Sequence, residues 1–103
     1  LRKISYDDIL YLEAYNRGTN IVTTSGILHI KKKFSQIAQE TDTQFFSRCH
    51  HSFMVNKDKV EILKKYELIL VNQESIPVSR RRYDQCKKEF LDFLSDGRRL
   101  SRL

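Results

Sequence analysis

Thr19-Asn20-Ile21-Val22-Thr23-Thr24-Ser25-Gly26-Ile27-Leu28-His29-Ile30-Lys31 is the stretch that decides the fold. Ile21 and Thr23 fall on one side of its first half, and Asn20, Val22 and Thr24 on the other. A period of two belongs to a strand, because successive side chains leave opposite faces of a pleated backbone. Ser25-Gly26 turns the chain, and beyond it Leu28 and Ile30 again share a face. The stretch therefore predicts a β-hairpin, not a pair of consecutive helices.

The same reading extends outward in both directions. Upstream, Ile9 to Tyr15 is rich in β-branched and aromatic residues and runs into the loop signal Asn16-Arg17-Gly18. Downstream, Phe34, Ile37 and Ala38 have helical spacing, which predicts one short helix from Phe34 to about Glu40, ended by Thr41-Asp42-Thr43. Phe45-Phe46 and Phe53-Met54-Val55 are apolar runs flanking Arg48-Cys49-His50-His51-Ser52. Val60 to Leu63 and Leu68 to Val71 make a strand pair around Lys64-Lys65-Tyr66. A turn at Asn72-Gln73 leads to Ser75-Ile76-Pro77-Val78, and Pro77 makes this an edge or terminal strand because it has no N–H to donate. Ser79 offers an N-cap for a helix from about Arg80 to Ser95, with Gly97 as its stop. Along that helix Tyr83, Lys87, Phe90 and Leu94 share a face. The expected fold is mainly β, with one short internal helix and one C-terminal helix.

The 103 residues fit one domain over 1–103, with a tail from 96 to 103, and a hydrophobic content of 40% is enough for a core. The first residue is Leu1, which predicts a piece of a longer protein. No apolar run approaches the roughly 20 residues of a membrane helix. Two cysteines, Cys49 and Cys86, make neither a disulfide framework nor a metal site and suit a reduced, cytoplasmic setting. Nineteen Lys and Arg against thirteen Asp and Glu leave a net charge of +6. The cations gather at Lys31-Lys32-Lys33, Lys57 with Lys59, Lys64-Lys65, Arg80-Arg81-Arg82 and Arg98-Arg99, mostly beside strand ends or turns. Such clusters suit a polyanion, and nucleic-acid phosphate gains affinity by releasing counterions. A helix-turn-helix is excluded by the strands that fill its place, so loops or strand ends must do any reading.

Three motifs, in order, carry a resemblance. Asp8-Ile9-Leu10-Tyr11-Leu12-Glu13-Ala14 stands near the start, and Phe46-Ser47-Arg48-Cys49-His50-His51-Ser52-Phe53-Met54-Val55-Asn56 in the middle. Ile76-Pro77-Val78-Ser79-Arg80-Arg81-Arg82-Tyr83 stands near the end. Over residues 4 to 94 the chain resembles the LytTR-type DNA-binding domain, the C-terminal output domain of LytR/AgrA-class bacterial response regulators. The resemblance implies an elongated set of short antiparallel sheets whose loops enter successive major grooves and bend the DNA. It further implies promoter direct repeats as the target, a homodimer on them, and an upstream receiver domain in the full-length protein.

Carried over by position, three loops face DNA. In the first, Asn16 to Asn20, the family's base-reading position falls on Thr19 and Asn20, with Asn16 and Arg17 on the backbone; Gly18 stands where the family often has an aromatic residue. In the second, His51 occupies the variable position suited to base readout, beside Ser52. In the third, Arg81 is expected to make a bidentate contact to guanine. Arg48, Ser52, Lys57, Arg80 and Arg82 are assigned to phosphate, which positions a protein without specifying sequence. His50 is expected to orient its loop, and Asn56 to fix a turn through side-chain to backbone bonds.

Other readings meet specific obstacles. His50-His51 with Asn56 resembles part of an HNH nuclease motif, but no histidine follows His51 and no acid lies between His50 and Asn56. With three glycines there is no phosphate-cradling loop and no nucleophile elbow. No catalysis, metal or cofactor is expected. A protein-interaction or dimerisation module, using the apolar stripe of the last helix, is one alternative, and RNA binding is another. Cys49, beside the second loop, raises the question of redox sensitivity, against which stands a plain role as small buried filler.

Overall fold

The structure is a computed structural model that describes residues 4–96. The elements run β1 (Ile9–Tyr15), β2 (Gly18–Thr23), β3 (Gly26–Ile30), α1 (Phe34–Glu40), β4 (Phe46–His50), β5 (Phe53–Asn56), β6 (Val60–Lys64), β7 (Glu67–Leu70), β8 (Ser75–Pro77) and α2 (Tyr83–Ser95). One antiparallel sheet has the order β3-β2-β1-β5-β4, and a smaller one the order β6-β7-β8. The mainly β architecture with two helices is the one expected.

The predicted hairpin is present. Ile21 faces Leu28, Val22 faces Ile27 and Thr23 faces Gly26. The Thr23 hydroxyl holds the turn, accepting from the Ser25 N–H at 3.2 Å and donating to the Gly26 carbonyl at 2.8 Å. The hairpin before it closes through Asn16 and Arg17 alone, at φ 48° and 61°. Two successive left-handed residues give the turn whose twist matches paired strands, and placing a non-glycine pair there costs some strain.

Both faces of the larger sheet are covered. On one face Ile9, Leu12, Phe46 and Met54 pack with Phe34 and Ala38 of α1. On the other, Leu10, Tyr11, Val55 and Cys49 meet Val60, Leu68, Leu70 and Ile76 of the smaller sheet and Cys86 of α2. A register shift between Ile9 and Tyr11 in β1 lets Leu10 and Tyr11 join the same core, where strict alternation would part them. Asn56 fixes the end of β5 as expected. Its Oδ1 accepts from the Asp58 N–H at 3.0 Å, and its Nδ2 donates to the carbonyls of Tyr6 and Ile9 at 2.9 and 2.8 Å.

The last helix departs from expectation at its start. It begins at Tyr83, not Arg80, and Ser79 does not cap it. The Ser79 N–H donates to the Cys49 carbonyl and the Arg82 N–H to the Ser79 carbonyl, so residues 79–82 form a turn docked on β4. The arginine triplet thus stands just before the helix, with Arg82 at the N-cap position, where positive charge still opposes the dipole. Cys86 and Phe93 of α2 are buried, and Tyr83 and Phe90 pack against the core, so its apolar side covers the sheet. Pro77 lies in β8, an edge strand of the smaller sheet. Gly97 and Arg98-Arg99 lie outside the described residues.

Candidate nucleic-acid interface

Antiparallel pairing brings three connections to one end of the larger sheet. The Asn16-Arg17 turn joins β1 to β2, with Tyr15 opposite Gly18. The His51-Ser52 turn joins β4 to β5, and β5 pairs with β1, so the Ser52 carbonyl accepts from the Ala14 N–H at 2.9 Å. The Ser79–Arg82 turn is fastened beside them by its bond to Cys49 at 2.9 Å. The β3–α1 connection arrives at the same end, where the Thr19 hydroxyl donates to the Lys32 carbonyl at 2.8 Å.

Each turn has its own support. Asn16 and Arg17 are exposed at their tip. His51 is exposed, whereas the Nδ1 of His50 accepts from the Ser52 N–H at 3.1 Å and orients the turn. Arg48 donates from Nη2 to the His51 carbonyl at 3.0 Å and lies 5.1 Å from the Phe34 ring centre. Burial first, and the charge of Arg82 second, push its pKa down. Arg48, Arg81 and Arg82 line one open cleft floored by Phe46 and Met54. Arg80 stacks on Tyr66 at 5.3 Å, and Tyr66 meets Tyr83 edge-on at 5.3 Å. Arg81 is exposed and makes no hydrogen bond or ion pair with another described residue.

Three assigned side chains are placed otherwise than expected. Thr19 is 0% exposed and Asn20 is 6% exposed, both within β2. Asn20 is bonded to Glu13 and His29 as Thr19 is to Lys32, so neither offers a free polar atom at the tip. Lys57 is 6% exposed, and its ammonium donates to the carbonyls of Thr43 and Gln44 at 2.9 and 3.3 Å. It ties the α1–β4 connection and cannot also hold a phosphate. The departure at Gly18 also has a cause: any Cβ there would strike the Ile30 carbonyl oxygen and lie 2.9 Å from the His29 ring. The imidazole of β3 fills the space that a side chain at position 18 would need.

Sequence reasoning gave no site role to Lys31-Lys32-Lys33, which the fold delivers to the same end as the turns, with Lys33 lining a shallow cleft beside Asn16 and Arg17. The charge cluster was the available signal; its position depends on the β2–β3 register, which brings Ile30 opposite Thr19. Among the described residues the ion pairs are Lys32–Glu40 at 2.7 Å and Lys88–Asp92 at 3.2 Å. The cations of the first and third turns therefore carry no carboxylate partner, and this end of the molecule keeps its positive field. Cys49 is 0% exposed and burial pushes its thiol up to about 12, which removes the thiolate that a redox sensor uses.

The family model described as the LytTr DNA-binding domain matches residues 1–90. The chain belongs to the LytTR family. This LytTR chain is 29% identical over 82 residues to the sensory transduction protein LytR of Staphylococcus saprophyticus, a match covering 75% of the chain and 32% of that relative. It thus spans about a third of the relative's length. Its fold is that of a solved LytTr DNA-binding domain from Bacillus cereus, described as part of a methyl-accepting/DNA response regulator. That match has a TM-score of 0.72 at 24% identity and covers 85% of this chain and 84% of the other. DNA binding is the family's property, and no helix among the described residues is long and apolar enough to cross a membrane.

Proposed function

We propose that this LytTR chain reads double-stranded DNA by setting the three turns into successive major grooves, as the output domain of a bacterial transcriptional response regulator. One observation carries the reading: three turns from different parts of the chain meet at one end of one sheet, the first and third bearing exposed arginines and the second the exposed His51. Only the major groove shows a distinct donor and acceptor pattern for every base pair, so it is where exposed His51 and Arg81 gain specificity. Asn16, Arg17, Ser52, Arg80 and Arg82 meet phosphate. Arg48 holds the His51 carbonyl and adds its charge beside Arg82. The chain acts without catalysis or a cofactor, and it works in the cytoplasm as one of two copies on promoter repeats under an upstream receiver domain.

Titration of fluorescent duplexes tests this. Arg81→Ala weakens a specific duplex by about 1–3 kcal/mol and relaxes the preference at one base pair, with random duplex little changed. An equal loss on specific and random duplex removes Arg81 from base reading.

A further inference from the structure

With Thr19 and Asn20 buried, and Asn16 and Arg17 given to phosphate in the function proposed above, the first turn has no base reader left among the side chains of its own loop, and the adjacent strand supplies one. Asn20 stands opposite both Glu13 of β1 and His29 of β3, so the three form a row across the sheet. Asn20 Nδ2 donates to Glu13 Oε1 at 3.1 Å, and Asn20 Oδ1 lies 2.8 Å from His29 Nδ1. A carboxylate only accepts, which fixes the amide's orientation; Oδ1 must then accept, and Nδ1 of His29 carries the proton. In the neutral ring this leaves Nε2 as an acceptor. The ring is exposed and lies across Gly18, whose missing side chain gives it room, with Tyr15 edge-on at 6.2 Å.

The geometry points to His29 as the base-reading side chain of the first turn, with Asn20 and Glu13 as positioning residues that set its tautomer and direction. This rests on the DNA-reading function above. Nε2 as an acceptor matches the exocyclic amino groups that adenine and cytosine show in the major groove. An aromatic or aliphatic side chain at 29 would offer no such atom and would leave Asn20 Oδ1 without the donor it has here.

The test uses the chain of residues 1–103 and a duplex library randomised over about 20 base pairs, enriched separately by the wild type, His29→Ala and Arg81→Ala. His29→Ala loses the preference at one base pair, different from that lost in Arg81→Ala. It binds the wild-type consensus about three- to tenfold more weakly and random duplex equally well. Long-range nitrogen–proton NMR shows wild-type His29 protonated at Nδ1, and Asn20→Ala releases it to a tautomer mixture. An unchanged consensus for His29→Ala, or an equal loss on random duplex, overturns the reading role. A wild-type ring carrying its proton on Nε2 alone overturns the positioning. If Arg81→Ala alters the consensus and His29→Ala does not, only the present inference falls. If the wild type enriches no sequence, the DNA-reading function falls with it.

Discussion

Lys57 and Arg80 are both cations next to turns, and they put their charge to opposite uses. The Lys57 ammonium is buried on two carbonyls and lies 6.0 Å from the Phe93 ring centre, so its charge is spent inside the fold. Arg80 rests its flat guanidinium on Tyr66 and stays exposed. Lys57→Ala is expected to lower stability by about 1–3 kcal/mol in urea unfolding, because two buried carbonyls lose a charged donor. It should leave the salt slope of DNA binding unchanged. Arg80→Ala should do the reverse: little change in stability and a slope shallower by about one. Cys49 gives a prediction in pH. Its thiol is raised by burial from 9.0 to about 12, so the folded state holds the proton more tightly than the unfolded one. The associated stability is complete below about pH 9 and is lost as pH rises from there toward about 12. Urea midpoints measured at successive pH values above 9 should fall, and Cys49→Ala should flatten part of that fall.

Among the elements, the β1–β2–β3 unit depends on the bare backbone at Gly18. Gly18→Ala forces a methyl against the Ile30 carbonyl and the His29 ring, and strand backbone cannot yield as a flexible side chain can. A loss of about 1–3 kcal/mol is expected in thermal or urea unfolding, with shifted amide resonances in β3. Much at this scale was legible in the sequence. The bounds of β1 and α1 follow directly from β-branched content and helical spacing, and the hairpin from Ser25-Gly26. The start of α2 was not: Ser79 looks like a cap in isolation, but residues 79–82 form a turn fastened to the Cys49 carbonyl, thirty positions away, and the helix starts only after it. Thr19 and Asn20 failed for a related reason. Alternation along β2 tells which residues share a side, but their burial comes from the Lys32 carbonyl on one side and from Glu13 and His29 on the other. The bond of His50 to Ser52 and that of Asn56 to Asp58 each span two positions and were legible in the sequence, whereas the bonds of Asn56 to Tyr6 and Ile9, 50 and 47 positions away, were not.

At the scale of the whole molecule, Arg17, Arg48 and Arg80 to Arg82 gather at the end where the turns meet. If about five phosphates are neutralised there, log K against log salt should fall with a slope of about −4 to −5. A slope near zero would mean that this end does not meet the nucleic-acid backbone. The seam between β1 and β5 has a consequence in time. Its pairs are Tyr11 with Val55, Leu12 with Met54 and Glu13 with Phe53. Each hairpin beside it can zip from its own turn, but this short ladder must first close a long stretch of intervening chain, an entropic cost met before any contact repays it. The first and second turns lie on opposite sides of that seam, so during folding they become neighbours only in its closing step. Competence to grip a duplex therefore waits on that closure, and a chain that has not made it carries the readers without their spacing.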